Sequence, residues 1–121
     1  MNVALVDDDE SVSRAVMRLL RLAGMNPTSF RSMETYLAFP GRYNFDCLVL
    51  DIYIDNGQSG LDLKARLNQE GNRIPVIFFS AHDDVETQTE IDRVGCHKFV
   101  RKGDNIRLLL DAVKEIKPIQ R

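Results

Sequence analysis

Apolar residues along this chain of 121 residues follow two spacings. Short unbroken runs, Val3-Ala4-Leu5-Val6, Cys47-Leu48-Val49-Leu50, Val76-Ile77-Phe78-Phe79 and Phe99-Val100, read as buried strands. Between them apolar positions recur every three or four residues, the spacing of an amphipathic helix. Asn2–Val6 is the first strand. Ser11 opens a helix with Val12, Ala15, Val16, Leu19, Leu20 and Ala23 inward and Arg14, Arg18 and Arg21 outward; Gly24 caps its end. A weaker strand, Asn26–Phe30, precedes a short helix capped by Ser32 and running through Phe39, and Pro40-Gly41 is a turn. Phe45–Asp51 is the third and most continuously apolar strand. Asp55-Asn56-Gly57 is a loop, Leu61–Leu67 a helix, and Pro75 begins the fourth strand. Asp84–Val94 is a polar helix stopped by Gly95, Lys98–Val100 a fifth strand, and Ile106–Ile116 a last helix with Pro118 beyond it.

Strands alternating with helices in this way call for an α/β fold, a doubly wound five-stranded parallel sheet flanked by five helices, with right-handed crossovers. Runs apolar on both faces fit strands buried on both sides. The length suits one domain, residues 1–117, with 118–121 a tail or the start of a linker. A formal charge of −2 gives no basic field for direct nucleic-acid binding. No apolar run approaches the roughly 18 residues that span a bilayer. Met1 leads straight into a strand with no basic leader pattern, so the expected location is cytoplasmic. Cys47 and Cys96 have no metal or redox spacing and read as reduced core thiols.

The chemistry gathers at strand ends. Asp7-Asp8 follow the first strand, Asp51 ends the third, Ser80 the fourth, and Lys102 comes just after the fifth. In a parallel sheet these carboxyl ends share one edge, where ligands bind. Taken singly, the acidic run reads as a solvated loop, Ser80 as a strand-end hydroxyl and Lys102 as a surface amine. Together they form a pocket. Carboxylates about 4 Å apart repel by roughly 4 kcal/mol at an effective dielectric near 20, so the cluster wants a cation. Oxygen-only ligands suit Mg2+, or Mn2+ in its place. Asp9 and Glu10 serve the N-terminus of the following helix. Asp51 reads as a metal ligand, as a nucleophile forming an aspartyl phosphate, or as both.

The chain resembles the receiver domains of bacterial two-component response regulators, the superfamily of the chemotaxis regulator, from Val3 through Ile116. The resemblance rests on Val-Asp-Asp-Asp-Glu at 6–10, Leu-Val-Leu-Asp-Ile at 48–52, Gly60-Leu61, Ile-Pro-Val-Ile-Phe-Phe-Ser-Ala-His at 74–82, Gly95 and Phe-Val-Arg-Lys at 99–102. Residues 32–37 and 47–51 are most similar to the FixJ-type branch, whose members commonly carry a C-terminal DNA-binding domain. It implies a flavodoxin-like strand order 2-1-3-4-5. Asp51 would accept a phosphoryl group from a histidine kinase. Asp7 and Asp8, with Asp51 and the backbone carbonyl of Tyr53, would hold Mg2+. Ser80 and Lys102 would bind the phosphoryl oxygens, and Phe99 would be the switch aromatic. The readout face would be the fourth helix, fifth strand and fifth helix, through which a homodimer could also form. The domain would be no enzyme beyond its own phosphorylation and dephosphorylation.

Several positions depart from the family pattern. Gly103 replaces a proline that usually follows a cis bond; a cis bond before glycine costs about 2.5–4 kcal/mol, so a trans loop is expected and the aim of Lys102 is left open. The loop after Asp51 has one extra residue and a new acid, Asp55, read with Asn56-Gly57 as a tight turn. Bulky Tyr53 is expected to shield an acyl phosphate from water. His82 reads as a lone surface histidine, and His97 has no acid partner in the pattern. Asp104 is expected to cap the last helix, while Leu108 and Ala112 extend its apolar stripe outward. Two rival readings follow. One is a receiver-like binding module independent of phosphorylation. The other is an Asp-nucleophile phosphohydrolase, which needs a second acid where Tyr53 stands and a cap domain.

Overall fold

The computed structural model describes residues 1–54 and 58–118; the expected turn at Asp55-Asn56-Gly57 and the tail at 119–121 lie outside them. Five strands, β1 (Asn2–Val6), β2 (Asn26–Phe30), β3 (Cys47–Leu50), β4 (Val76–Ser80) and β5 (Lys98–Arg101), pair in parallel in the order 2-1-3-4-5. They alternate with α1 (Glu10–Leu22), α2 (Met33–Ala38), α3 (Gly60–Gln69), α4 (Val85–Val94) and α5 (Arg107–Lys114). A single 3-10 turn, Arg42–Asn44, leads into β3. A short antiparallel ribbon pairs Tyr53–Ile54 with Gln58–Ser59, an element the apolar pattern did not announce.

Side chains on a strand alternate between faces, and each face here has its own core. Ala4, Val6, Leu48, Leu50, Val76 and Phe78 pack with Tyr36, Leu63, Leu67, Ile91 and Val94, the side of α2, α3 and α4. Val3, Leu5, Cys47, Val49, Ile77, Phe79 and Val100 pack with Val16, Leu20, Leu109 and Val113, the side of α1 and α5. Covering both faces makes the strand runs apolar throughout. Cys47 is buried, and burial pushes its thiol up to about 12, with Asp46 adding to the shift. Cys96 is half-buried and also free.

Local chemistry adjusts several expected boundaries. Asp9 caps α1, accepting from the N–H groups of Ser11 and Val12, so the helix starts before Ser11. Ala23, in place of Gly24, caps the end of that helix, and Gly24 follows at φ 83°, a conformation costly for any residue with a Cβ. Ser32 and Thr35 form a reciprocal capping box on α2. Asp84 caps α4 and Gly95 ends it at φ 79°. Asp104 does not cap α5. Its carboxylate turns back to Arg101, and Asn105 Oδ1 accepts from Arg107 N–H instead. Ala112 is buried rather than outward, while Leu108 is 48% exposed.

Candidate functional site

Backbone hydrogen bonds carry the ladder one residue past the strands and so fix the site. Asp7 N–H donates to the Phe30 carbonyl at 3.1 Å, Asp51 N–H to Val6 at 3.1 Å, and Lys102 N–H to Ser80 at 2.9 Å. Gly60 holds the loop after β3 against this edge. A Cβ there would stand 2.0 Å from the Asp51 carbonyl oxygen, and Gly60 N–H donates to Ile52 at 2.7 Å. The sequence motif included Gly60 without showing this close approach.

Asp7, Asp8 and Asp51 offer carboxylate oxygens within 4.8 Å of one another. Lys102 Nζ sits between two of them, 2.8 Å from Asp7 Oδ2 and 3.0 Å from Asp51 Oδ2. Its aim, left open by the Gly103 substitution, is therefore into the cluster; no peptide bond among the described residues is cis, and Gly103 takes φ 103°. Asp7 and Asp51 are buried and Asp8 half-buried. Burial raises the Asp7 carboxyl above its ordinary range; Lys102 and the Asp9 N–H oppose the rise, and Asp51 adds to it. Burial also disfavours charge on Lys102, yet the bond to Asp7 and the Asp51 charge outweigh it and raise the ammonium pKa.

Three carboxylates against one ammonium leave two uncompensated negative charges at the described part of this edge. Asp7 Oδ1 accepts from Asp9 N–H at 2.9 Å, but the buried Oδ2 has only the ionic contact with Lys102 and no aligned hydrogen bond. A buried carboxylate oxygen whose one partner among the described residues is an ammonium, in an all-oxygen cluster with excess negative charge, fits a hard divalent cation of the Mg2+ class.

Ser80 is fully buried at the end of β4, where its Oγ accepts from His82 N–H at 3.3 Å. Phe99 is half-buried on β5, in register with Phe78. Tyr53 starts the ribbon two residues past Asp51, with its side chain 53% exposed. Its ring meets that of His82 edge-on at 4.2 Å, so His82 is not solitary. His97 also has a partner: Nε2 lies 3.0 Å from Glu115 Oε1, brought close by α5 from 18 residues away. The structure thus brings Asp7, Asp8, Asp51 and Lys102 together and places Ser80 and Lys102 on paired strand ends. Arg101, part of the Phe-Val-Arg-Lys motif but given no role by the sequence, bridges the loops that follow Ser80 and Lys102.

The sequence pattern of the response regulator receiver domain matches residues 3–114. The chain belongs to that family. As a receiver domain of the two-component signalling type it is 32% identical to the response regulator protein TmoT of Ectopseudomonas mendocina over 112 residues, 93% of this chain and 50% of TmoT. It is 26% identical to the transcriptional regulatory protein FixJ of Bradyrhizobium diazoefficiens, covering 97% of this chain and 58% of FixJ. The chain spans about half the length of the curated relatives it matches. In fold it is similar to the receiver domain of a Francisella response regulator, with TM-score 0.85, 24% identity and 94% and 93% of the two chains covered. Chemotaxis protein CheY4 of Vibrio cholerae aligns at TM-score 0.83 with 23% identity, covering 96% and 98%. No helix among the described residues is long and apolar enough to cross a membrane.

Proposed function

We propose that Asp51 accepts a phosphoryl group from the phosphohistidine of a sensor histidine kinase, and that the phosphorylated chain presents α4, β5 and α5 to a downstream partner. The observation that carries this reading is the meeting of Asp7, Asp8 and Asp51 with Lys102 Nζ at one strand edge. In the transfer an Asp51 carboxylate oxygen forms the bond to phosphorus as the bond from phosphorus to the imidazole nitrogen breaks. The bonding pair leaves with the imidazole, and an acyl phosphate results. Mg2+ held by Asp7, Asp8, Asp51 and the Tyr53 carbonyl, or Mn2+ in its place, would neutralise charge on the transferred phosphoryl oxygens.

Lys102 already contacts Asp51, so it reaches a phosphoryl oxygen built on that carboxylate by releasing Asp7. Ser80 Oγ accepts from His82 N–H, which leaves its own proton to donate to the phosphoryl group. Ser80 then draws the β4–α4 loop toward Asp51, and Phe99 turns inward into the space released. This is a population shift between two arrangements, biased by contacts made in only one. Beside Phe99 lies a groove of about 690 Å3 that also touches Asp83, Arg101, Asp104 and Leu108, a surface whose shape the shift would alter.

The longer relatives include proteins named as transcriptional regulators, which supports a DNA-binding output domain in the full protein; a cytoplasmic location and dimerisation through the same face belong to the same proposal. The domain acts on itself alone and turns over no separate substrate. The rival binding-module reading drew on the altered Lys102-Gly103 loop; the 3.0 Å contact from Lys102 to Asp51 favours the switch.

Intact-protein mass after incubation with acetyl phosphate and Mg2+ tests the reading. One phosphoryl increment is expected, absent in Asp51→Asn and in a chelator-treated sample. A folded chain with no increment, or an increment that persists in Asp51→Asn, refutes it.

A further inference from the structure

Arg101 closes β5 immediately before Lys102 and stands opposite Ser80 in the parallel register. Its guanidinium meets two acids. Nη1 lies 2.8 Å from Asp83 Oδ2, and Nη2 lies 3.5 Å from Asp104 Oδ1. Asp83 sits in the β4–α4 loop shortly after Ser80, and Asp104 in the β5–α5 loop shortly after Lys102. One side chain therefore ties together the loops that follow the hydroxyl and the amine of the site.

The backbone makes this tie consequential. Asp104 N–H donates to the Arg101 carbonyl at 3.2 Å, so Asp104 moves with β5. Asp83 precedes Asp84, whose carboxylate holds the first turn of α4 through Thr87 N–H at 3.2 Å and Thr87 Oγ1 at 2.7 Å. A displacement of the Ser80 loop toward Asp51 pulls Asp83 and the start of α4 away from β5. The 2.8 Å ion pair resists that displacement. Asp83, Arg101 and Asp104 also border the groove beside Phe99, so the tie lies next to the space that Phe99 would exchange.

We propose that Arg101 is a positioning residue of the switch, a strap between the Ser80 and Lys102 loops that favours the unphosphorylated arrangement. The proposal rests on the reading above, in which Ser80 and Lys102 both turn to a phosphoryl group on Asp51. The partners are half-exposed, with side-chain exposures of 52% for Arg101 and 45% for Asp83. Ion pairs of that kind shift an equilibrium by about two- to fivefold. Such a strap biases the resting state without locking it, and a phosphoryl group with several new contacts overcomes it. Releasing it raises the population of the reactive arrangement by the same factor.

The test compares initial labelling rates of the chain by acetyl phosphate and Mg2+, read as intact mass, with Asp51→Asn as the blank. Arg101→Gln and Asp83→Asn are expected to label about two- to fivefold faster than wild type. The double variant is expected to be no faster than Arg101→Gln alone, because both singles remove the same Arg101–Asp83 ion pair. Arg101→Lys, which keeps the charge but loses the two-armed reach, falls between. The two single variants change local charge in opposite senses, so acceleration of both reports the strap rather than attraction of the anionic donor. A pair that served thermal stability alone would leave these rates unchanged. Unchanged rates, slower rates in both variants, or opposite effects in the two overturn the strap, while wild-type labelling at Asp51 preserves the phosphoacceptor reading. No labelling of the wild type overturns both.

Discussion

At the N-terminal edge of the sheet the buried Arg42 pairs with the more exposed Glu70, one positive charge against one negative, whereas at the C-terminal edge Asp7, Asp8 and Asp51 face Lys102 with three negative charges against one. Arg42 Nη2 reaches both Glu70 oxygens at 3.1 and 3.3 Å and donates to Tyr43 Oη at 2.7 Å, while its guanidinium carbon stands 4.3 Å from the Tyr43 ring centroid. Below it Tyr36 is fully buried; burial pushes its phenol up to about 12, with Arg42 pulling the other way. This edge is balanced in charge, although Arg42 Nη1 and Tyr36 Oη are buried without hydrogen-bond partners among the described residues, and it joins the 3-10 turn to the end of α3. The opposite edge keeps repulsion that any of several neutral substitutions would relieve. Retaining clustered like charge at a cost in stability is what the proposed cation and phosphoryl site at Asp51 would require.

Substitutions at the two edges should therefore move stability in opposite directions. The largest effect is expected from Arg42→Met, which removes the bonds of a buried guanidinium to Tyr43 and to the more exposed Glu70 and should lower unfolding free energy by about 2 kcal/mol in urea denaturation. Phosphoryl incorporation at Asp51 should survive in this variant under native conditions. Asp7→Asn removes one of the repelling carboxylates and should raise stability by about 1 kcal/mol, after allowing for the lost contact to Lys102. The same variant should lose Mg2+-dependent labelling. If Asp7→Asn is destabilised as much as Arg42→Met, the two edges are alike and the contrast fails.

A smaller, kinetic effect is expected from Tyr53→Ala. The ring is exposed and edge-on to His82, and removing this proposed shield of an acyl phosphate on Asp51 should shorten the phosphorylated lifetime several-fold, measured as loss of the mass increment after donor removal. A lifetime equal to wild type would show that the ring does not shield.

How much of this was legible in the sequence differs between the edges. Asp7, Asp51, Ser80 and Lys102 each follow an apolar run, and strand ends of a parallel sheet converge without further information. Both faces of the core likewise follow from runs whose alternate residues face opposite cores, as Val3 and Leu5 do against Ala4 and Val6, whereas the strand order rested on the family resemblance. Arg42 and Glu70 lie 28 residues apart, outside every element the apolar pattern predicts, and only the packing of α3 beside the 3-10 turn makes them a pair. His97 and Glu115 were hidden for the same reason. Asp104 was read as a cap from its place before a helix, but Arg101 offers a charged partner that competes for that carboxylate. The Gly60 approach to Asp51 is a distance between loops, and sequence spacing carries no sign of it.

The smallest effect is expected at Glu115, which His97 first and Lys98 second hold below the ordinary carboxylate range. Because its folded pKa lies below the unfolded value, its contribution to stability is present above the unfolded pKa and lost as pH falls through the folded one. Glu115→Gln should lie slightly below wild type in melting temperature at neutral pH and converge with it in acid. A gap that widens in acid would contradict the assignment.

The central claim is that the carboxylate excess at the C-terminal edge is a cation site. A calorimetric Mg2+ titration of wild type, Arg42→Met and Asp7→Asn tests it most directly. The account predicts one site in wild type and in Arg42→Met, and its loss in Asp7→Asn. Equal binding by all three, or no binding by a folded wild type, would contradict it.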